Sequence, residues 1–448
     1  MASTRSQVET LVSYIQHAAQ DALAEYERTG FNTPSLDSIV AHPLDDVLNT
    51  IALKRAVRML EGACDQLCTT LAPPAHTIIN RAQDTYWACL RVAVENNIPN
   101  ALAGYPNGVH VSELSNKVNI EPGKLLSILR LLAARHCFKE VEQNVFTNNR
   151  LSITLLSSNP LAAYTTLLTR ESQIAAYHLT ETLADPKDGP SQDPRRSPFV
   201  RSLKDSNFKG TYYDYLSTHE DRRNAMSRGM IAMNAVIGTL SIIDLFPWSN
   251  FSTLCDVGSG IGAFSMSLLE HYPHIQITLH DRKETIALAE ETWKQKYSAN
   301  IEAGQILFTP GDFLEDIPAK GFDLYYYQLR NILHNWPDAQ SILILQAVRR
   351  AAGNNSHILI HDYVMQPLSR GSESKVGGTQ LEIAPTPLLP SFGSGNIRLY
   401  EQDMLMLNIY NAKERTIEEV VELGRQANLR LEKVWDLAET SVLEFVTV

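Results

Sequence analysis

The sequence predicts an α/β fold in which a mostly parallel β-sheet carries helices on both faces and follows a mainly α-helical domain. From about residue 250, short apolar runs alternate with helical patterns, which is typical of a parallel sheet. A glycine-rich turn joins one of these runs to a helical pattern at 256–264. Because 448 residues are too many for one ordinary domain, we expect a helical domain over 1–180 and a sheet domain over 181–448.

Helices are predicted for most of the amino-terminal domain. Apolar residues recur at helical spacing throughout 7–72, beginning with Val8, Leu11 and Ile15. The segment 76–97 has the same periodicity and is predicted to be one further helix.

A winged helix is predicted for the segment that follows. Residues 110–132 are predicted to form helix, turn and helix, and 138–146 alternate enough to form a short hairpin. Such a module can bind DNA, and its second helix carries Lys124, Arg130 and Arg135. Since apolar positions dominate that helix and the chain is acidic, we interpret the winged helix as a packing or dimerisation module.

The middle of the chain combines a loop with a long helix. Residues 184–200 are rich in Pro, Asp and Ser, which indicates a loop or linker, and a helix is predicted over about 221–240. Methionines recur at helical spacing there, a pattern that is more common in a core than in a pocket. The helix carries Met226, Met230 and Met233, and a flexible thioether face also suits an apolar substrate. Met226 and Met230, together with Met406 from a later segment, are candidate pocket residues.

The apolar runs after residue 250 are the candidate strands of the sheet. They are residues 252–257, 275–280, 305–309, 322–327, 357–363 and 441–447. The long segment 366–396, rich in Pro, Gly and Ser, is predicted to be a functional or disordered loop. The last clear helix is Glu418–Gln426.

Composition and charge exclude several classes of function. The formal net charge of −11 argues against nucleic-acid binding, because phosphate contacts need a clustered basic surface. The five cysteines are odd in number and form no C-x-x-C pair, as expected in a reducing compartment. The amino terminus lacks a signal-peptide core, and no apolar run approaches membrane-spanning length. We therefore expect a cytoplasmic protein that binds no nucleic acid and no membrane, and no His/Cys cluster indicates a metal site.

The most informative stretch is the segment from Asp256 to Phe264, Asp-Val-Gly-Ser-Gly-Ile-Gly-Ala-Phe. Glycine has no Cβ and accepts positive φ, so this turn lets the backbone and a helix amino terminus approach a ligand. Gly258, Gly260 and Gly262 alternate, whereas a dinucleotide fingerprint is G-x-G-x-x-G. The spacing fits a pyrophosphate poorly and an uncharged adenosyl amino-acid tail better. We expect Asp256 and the three glycines to bind such a cofactor.

Two acids follow the next strands of the predicted sheet. Asp281 lies about 20 residues beyond the glycine turn, where an acid binds ribose hydroxyls in doubly wound folds, although an acid that merely ends a strand would give the same pattern. Asp312 follows the third strand, where its carboxylate could accept from an adenine amino group while Phe313 covers the ring. All three are candidate cofactor-binding residues.

The most specific stretch is Tyr327–Asp338, which reads Tyr-Gln-Leu-Arg-Asn-Ile-Leu-His-Asn-Trp-Pro-Asp. It follows the fourth strand, at the edge of the sheet where α/β folds place their site residues. Its histidine, His334, is a candidate general base because the pKa of imidazole lies near neutrality. An isolated histidine is more often structural, but this motif favours catalysis.

At these residues the chain resembles the S-adenosylmethionine-dependent O-methyltransferases of the plant caffeate and flavonoid type, in their fungal secondary-metabolism branch. The family's D-V-G-G-G-x-G turn matches Asp256–Gly262, with Ser259 in place of one glycine. Its L-H-D-W-x-D signature matches Leu333–Asp338. Its G-D-M/F and G-K-E-R-T segments match Gly311–Phe313 and Ala412–Thr416.

The resemblance implies a Rossmann-like domain that binds S-adenosylmethionine, behind a winged-helix module that makes the protein a homodimer. It implies that His334 is the catalytic base, that Asp362 and Glu414 flank it, and that Asp281 binds the cofactor ribose. Arg330 stands where the family has a lysine that reaches the cofactor. The implied reaction moves a methyl group to a hydroxyl of a small secondary metabolite of phenol, enol or polyketide type, without a metal.

Departures from the family pattern leave a second chemistry open. Asn335 replaces the Asp beside the base, Asp362 is one methylene shorter than the usual Glu, and Asn411 begins a replacement of a Gly-Gly pair. Some fungal relatives keep the cofactor pocket but catalyse dehydration or pericyclic ring formation, with the sulfonium as a fixed charge. The alternative is therefore a pericyclase on the same fold, in which Arg330 and His334 hydrogen-bond a substrate carbonyl.

Overall fold

The amino-terminal region is helical in the computed structural model, which describes residues 3–45, 50–327, 333–371 and 381–448. The first helices are α1 Thr4–Glu27, α2 Ile51–Leu71, α3 Pro74–Ala82, α4 Tyr86–Glu95 and α5 Ile98–Leu102.

The prediction of one helix over 76–97 is wrong, because the chain leaves the helix at 83–85 and starts again as α4. The reason is local: the Asp84 carboxylate accepts the N–H of Tyr86 at 3.0 Å and fixes a new helix start. Aspartate favours such a turn because its side chain competes with the helix for nearby backbone donors.

Helices α1 and α2 pack as a pair against the carboxy-terminal half. Their shared buried cluster consists of Leu11, Ala63, Ala384, Leu388 and Phe392. The buried Arg58 donates to the carbonyl of Ala438 at 2.6 Å and to the Glu382 carboxylate at 2.7 Å. The described part of the predicted 366–396 loop that follows residue 380 is therefore packed under this helix pair.

The predicted winged helix is present. It consists of β1 Val109–His110, α6 Val111–Val118, α7 Pro122–Ala134, β2 Lys139–Glu142 and β3 Val145–Thr147. Its three strands are antiparallel in the order β1-β3-β2. The Glu121 carboxylate accepts the N–H groups of Gly123 and Lys124 and so caps α7. Buried leucines of α7, including Leu125 and Leu129, form the core of the module.

A helical layer connects this module to the sheet. It consists of α8 Pro160–Thr169, α9 Glu171–Tyr177, α10 Leu179–Ala184, α11 Pro198–Ser202, α12 Tyr212–Thr218, α13 Glu220–Ile237 and α14 Ile242–Leu245. The helix predicted over about 221–240 ends earlier, at Ile237, because Gly238 takes φ 69° and caps it. Gly229 of α13 lies close enough to Tyr164 of α8 that a Cβ there would be 3.2 Å from the tyrosine Cα. Since α8 and α13 lie on opposite sides of the predicted boundary at 180, that boundary stays a prediction.

A seven-stranded, mostly parallel sheet occupies the carboxy-terminal half, as predicted. The remaining strands are β4 Thr253–Val257, β5 Gln276–Asp281, β6 Ile306–Pro310, β7 Leu324–Tyr327, β8 His357–Asp362, β9 Val364–Met365, β10 Arg415–Thr416, β11 Leu429–Asp436 and β12 Ser441–Thr447. The sheet order is β11-β12-β8-β7-β4-β5-β6, and β12 runs antiparallel to both of its neighbours. The short strands β9 and β10 pair separately, in parallel.

Helices cover both faces of this sheet. They are α15 Ala263–His271, α16 Lys283–Glu302, α17 Asp338–Ala351, α18 Ile397–Tyr410 and α19 Ile417–Gln426. One buried cluster joins α15 and α16 to the sheet and contains Phe264 and Trp293. The other joins α17 and α19 to the opposite face and contains Ile344 and Val420. The predicted Rossmann-like architecture is thereby confirmed.

Within the described ranges, no single helix has the length and apolarity needed to cross a membrane, and one bent pair, Glu220–Ile237 with Thr239–Leu245, passes by length and composition alone.

Candidate active site

The glycine turn joins β4 to α15 at the carboxyl edge of the sheet. Gly258, Gly260 and Gly262 have φ values of 72°, 57° and 79°, which L side chains rarely adopt. A Cβ at Gly260 would meet no atom within 4 Å, whereas one at Gly262 would be 2.7 Å from both Leu279 and Trp293. Gly260 therefore faces open space, and Gly262 packs the helix onto the sheet.

Asp256 lies beneath the turn and is fully buried. Its Oδ2 accepts the Ser265 hydroxyl at 2.6 Å, and its Oδ1 has no hydrogen-bond partner among the described residues. Burial raises the pKa of the Asp256 carboxyl to about 7. The side chain thus ties β4 to α15 rather than reaching the cavity described below.

The two predicted acids follow neighbouring strands and stand at the same edge of the sheet. Asp281 ends β5, and its carboxylate accepts the N–H of Gly260 at 2.8 Å through Oδ2 and of Arg282 at 2.7 Å through Oδ1. The backbone N–H of Gly311, which precedes Asp312, donates to the Asp281 carbonyl at 2.9 Å. Phe313 is half-buried against the core on the α17 and α19 side. Asp281 is thus fixed against the glycine turn itself.

His334 lies in a short 3₁₀ turn, Leu333–Asn335, that follows β7 in the chain. Its Nδ1 is 2.6 Å from Oε1 of Glu414 and 3.6 Å from Oδ1 of Asp362. Asp362 ends β8, and Glu414 directly precedes β10. All three side chains are buried, so the structure brings the three predicted catalytic residues together.

Burial controls the protonation of this trio. It raises the pKa of the Asp362 carboxyl to about 7, although His334 opposes that rise. It also raises the pKa of Glu414 well above its usual range, with a further contribution from Asp403. Burial thus favours the neutral forms of both acids, and a positive charge on His334 opposes this at Asp362.

Arg415 holds this arrangement in place, and no role was predicted for it from the sequence. Its guanidinium donates to the carbonyls of Leu333 and Trp336, each at 2.7 Å, and to the Asp338 carboxylate at 2.8 and 3.0 Å. It therefore ties the turn that carries His334 to the strand that follows Glu414. Arg415 and Asp338 lie in the two motifs that match the family. Their position in those motifs is the sequence feature that could have identified them.

A cavity of about 720 Å³ extends from the glycine turn to His334. Gly258 and Gly260 border it at one end, whereas Asp362 and Glu414 are not among its described lining residues. The three predicted pocket methionines, Met226, Met230 and Met406, line it, although Met406 is otherwise deeply buried.

A wall of tyrosines, which the sequence analysis missed, completes the cavity. We use "tyrosine wall" for Tyr212 and Tyr213 of α12 together with Tyr410 of α18, all of which line the cavity. The Tyr213 ring lies 5.5 Å from that of Tyr410, which lies 5.6 Å from that of Tyr212. The Asn335 amide donates to the Tyr213 hydroxyl at 3.2 Å, so the wall begins beside His334.

Several candidate cofactor residues lie outside the cavity lining. Asp281, Asp312 and Phe313 are not among the described residues that line the cavity, so they can only serve the part of a cofactor that lies outside it. Arg330, predicted to reach the cofactor, lies outside the described residues.

Comparisons with known proteins agree with this geometry. A family model described as an O-methyltransferase domain matches residues 199–430. The chain is 36% identical to 3-O-methyltransferase 2 of Phanerochaete chrysosporium, over 97% of this chain and 96% of that protein. It is 30% identical to the O-methyltransferase tpcA of Aspergillus fumigatus, over 87% of this chain and 86% of that protein.

Solved structures share the fold. The mitomycin 7-O-methyltransferase MmcR has a TM-score of 0.66 at 20% identity and covers 84% of this chain and 98% of its own. The structure of LepI in complex with SAM has a TM-score of 0.70 at 18% identity and covers the whole of both chains.

Proposed function

The chain belongs to the O-methyltransferase family and transfers a methyl group from S-adenosylmethionine to a hydroxyl group of a small molecule, and we propose that His334 is the base of this reaction. One observation carries the proposal: Nδ1 of His334 lies 2.6 Å from Oε1 of Glu414 at the wall of a cavity that the glycine turn also borders.

The residues of the glycine turn fit the cofactor. The backbone at Gly260 forms an open cradle, because nothing lies within 4 Å of a Cβ there. The Asp281 oxygens each accept one N–H and keep a lone pair for a ribose hydroxyl. We propose that Gly258, Gly260 and Asp281 hold the cofactor, with Asp312 and Phe313 at its adenine. When bound, S-adenosylmethionine supplies an electrophilic methyl group on a sulfonium.

His334 takes the proton from the acceptor hydroxyl. When its Nδ1–H donates to Glu414, the lone pair of the neutral ring is on Nε2. As Nε2 accepts the proton, the ring becomes an imidazolium that Glu414 and Asp362 stabilise. A positioned base typically contributes about 10²–10⁴ in rate. Asp256 and Gly262 pack beneath the glycine turn and support it. Arg415 keeps His334 and Glu414 in position relative to each other.

We propose that the trio of His334, Asp362 and Glu414 works without a metal. Its three ligand atoms lie within 4.8 Å of one another, as in a cation site. The 2.6 Å between Nδ1 and Oε1 is a direct hydrogen bond, however, and two ligand atoms that share an ion at about 2.0–2.2 Å each are normally farther apart. Dialysis against a chelator should therefore leave the rate unchanged.

The acceptor is best matched by an aromatic compound with a reactive hydroxyl. Met226, Met230 and Met406 give the cavity a soft apolar lining, and the tyrosine wall adds three aromatic rings to it. Aromatic rings stack favourably on such faces. A phenol, enol or polyketide-type compound of two or three rings fits a cavity of this size.

The test is product analysis with purified enzyme, S-adenosylmethionine and a panel of phenols. We expect a mass gain of one methyl group and one S-adenosylhomocysteine per product. An isomerised or dehydrated product without S-adenosylhomocysteine would contradict methyl transfer and identify a pericyclase. The likeness to LepI concerns the fold alone, and the 36% identical relative is a methyltransferase by name, so we favour methyl transfer.

We also propose that the protein is a homodimer. Helix α3 has no buried residue, and its Ile78 and Ile79 expose 65% and 53% of their surface. Exposed apolar groups on one helix are typical of an interaction surface, and a second copy of this chain would cover them.

We propose, finally, that the winged helix binds no nucleic acid and that the enzyme works in the cytoplasm. Arg130 donates to Asn144 of the module at 3.0 Å, and Arg135 pairs with Asp84, which precedes α4, at 3.3 Å, so both arginines contact other side chains of the chain. The five cysteines are free thiols, as in a reducing compartment.

A further inference from the structure

A buried acid, Glu171, lies at the cavity without a role in the reaction. It is only 3% exposed, yet it lines the same cavity as His334. Both of its carboxylate oxygens lack a hydrogen-bond partner among the described residues. Buried carboxylates are almost always hydrogen-bonded, because leaving one unpaired is costly. A buried acid that faces a binding cavity and accepts no hydrogen bond points to a ligand group.

The surroundings of Glu171 indicate which kind of group this is. The Arg222 Nη1 lies 3.6 Å from Oε1, close enough for charge attraction but too far for a hydrogen bond. Burial raises the pKa of Glu171, and the positive charges of Arg222, Arg170 and Arg91 oppose that rise. With positive charge already beside the carboxylate, a neutral donor suffices to complete the site. A hydroxyl group is such a donor, and a cationic ligand would add a charge that the site does not need.

The tyrosine wall places Glu171 away from the reacting end. The wall starts at Tyr213, which accepts from Asn335 beside His334, and passes through Tyr410 to Tyr212. Tyr212 is the neighbour of Glu171: burial and then the charge of Glu171 raise the pKa of the Tyr212 hydroxyl. The rings do not share one plane, since Tyr410 is tilted by 40° to Tyr213 and stands at 89° to Tyr212. An aromatic molecule that contacts the wall beside His334 would therefore have its far edge toward Glu171.

We propose that Glu171 is a specificity residue that accepts a hydrogen bond from a second hydroxyl of an aromatic acceptor, at the end opposite the hydroxyl that is methylated. This inference rests on the proposed function and narrows its substrate class to polyhydroxylated aromatics. Glu171 selects the acceptor and takes no part in the chemistry.

The experiment compares dihydroxy aromatics of two or three fused rings with their monohydroxy parents. For the unmodified enzyme, kcat/KM and the calorimetric affinity in the presence of S-adenosylhomocysteine should both favour the dihydroxy compound. The preference should be about 10- to 100-fold, the value of one hydrogen bond to a charged group. In E171L the preference should disappear, because the dihydroxy compound loses its additional hydrogen bond. The matched control is Q173A, which alters a residue of the same helix that is not among the described residues lining the cavity and should keep the preference.

The outcomes separate this inference from the proposed function. No preference in the unmodified enzyme would overturn it. The inference would also be overturned if E171L lowered kcat/KM equally for both compounds and lowered the melting temperature as well. Glu171 would then only stabilise the fold, through its ion pair with Arg222. If no compound is methylated but the dihydroxy compounds still bind better and E171L abolishes the difference, the proposed function fails and the role of Glu171 stands.

Discussion

The residues around His334, at the inner end of the cavity, place opposing requirements on the charge of that histidine. His334 must be neutral to accept a proton, yet a positive charge on it favours the charged form of Asp362, whose Oδ1 lies 3.6 Å from its Nδ1. The imidazolium that forms as the proton moves would therefore stabilise the buried Asp362 carboxylate. Arg415 keeps the distances short enough for that coupling.

Replacing His334 tests the base directly. His334→Ala should lower methyl transfer about 10²-fold or more, because the variant lacks the positioned base that takes the proton. Raising the pH should partly restore the rate with a phenolic acceptor, since the phenolate then forms without a base. The affinity for S-adenosylmethionine, measured by calorimetry, should stay nearly unchanged. Undiminished transfer by the variant would exclude His334 as the base.

Asp256 makes stability depend on pH. Its pKa is about 7 in the folded protein against an ordinary 3.8, so between these values the folded state holds a proton that the unfolded chain releases. The stabilisation is complete below about pH 4 and is lost as the pH rises to about 7, on the order of 4 kcal/mol. Urea unfolding should show that Asp256→Asn loses less stability than the unmodified protein from pH 5 to pH 8. Parallel profiles for the two proteins would contradict the buried, protonated state of Asp256.

The inner end of the site was predictable from the sequence, and its outer end was not. Short motifs contain His334, Asp362 and Glu414, and these residue types indicate acid–base chemistry. Glu171 and Tyr410 reach the cavity only because α9 and α18 pack beside each other, and neither lies in a motif. Arg330 was predicted but lies outside the described residues.

At the scale of elements, two glycines of the turn have different roles. Gly260 leaves room above the turn, and Gly262 leaves room below it, against Leu279 and Trp293. Replacing Gly260 and replacing Gly262 should therefore change different measured quantities.

Alanine at each position separates these roles. Gly262→Ala should destabilise the protein by about 2–5 kcal/mol, since a strained φ costs about 1–2 and overpacking about 1–3. Gly260→Ala should cost only the strain, about 1–2 kcal/mol, but its methyl group enters the cofactor side of the cavity and should weaken S-adenosylmethionine binding. Thermal unfolding without cofactor and calorimetry with it measure the two effects. Equal destabilisation by both variants would refute this division.

The elements themselves were predictable where the pattern is continuous. The apolar runs of the parallel strands gave the correct positions within two residues, because both faces of those strands are covered. The strand β11 was missed because it lies at the sheet edge, where Arg430 and Glu432 alternate with buried leucines and interrupt any apolar run. The break before α4 was missed because a single aspartate, Asp84, starts a new helix inside an unbroken helical periodicity.

At the scale of the whole molecule, the exposed apolar helix α3 is the feature that a monomer does not explain. Light scattering should give twice the chain mass for the unmodified protein at micromolar concentration. Introducing lysine at both Ile78 and Ile79 should give a monomer, because a charged side chain is costly to bury in a dimer interface. Leu368→Lys is the control, since Leu368 is similarly exposed elsewhere on the chain. A monomeric unmodified protein would contradict the dimer.

The hydrogen bond from Arg58 to the carbonyl of Ala438 also has a consequence for how the protein is made. The two residues are separated by 380 positions, so at about 5–20 residues per second a ribosome needs roughly 20–80 s to deliver the second after the first. For most of that interval α1 and α2 lack the surface formed by Ala384, Leu388 and Phe392, which are made shortly before Ala438. The beginning of the chain is therefore among the last parts to reach its final place, and a nascent chain stalled before this surface emerges would present an uncovered helix pair to chaperones.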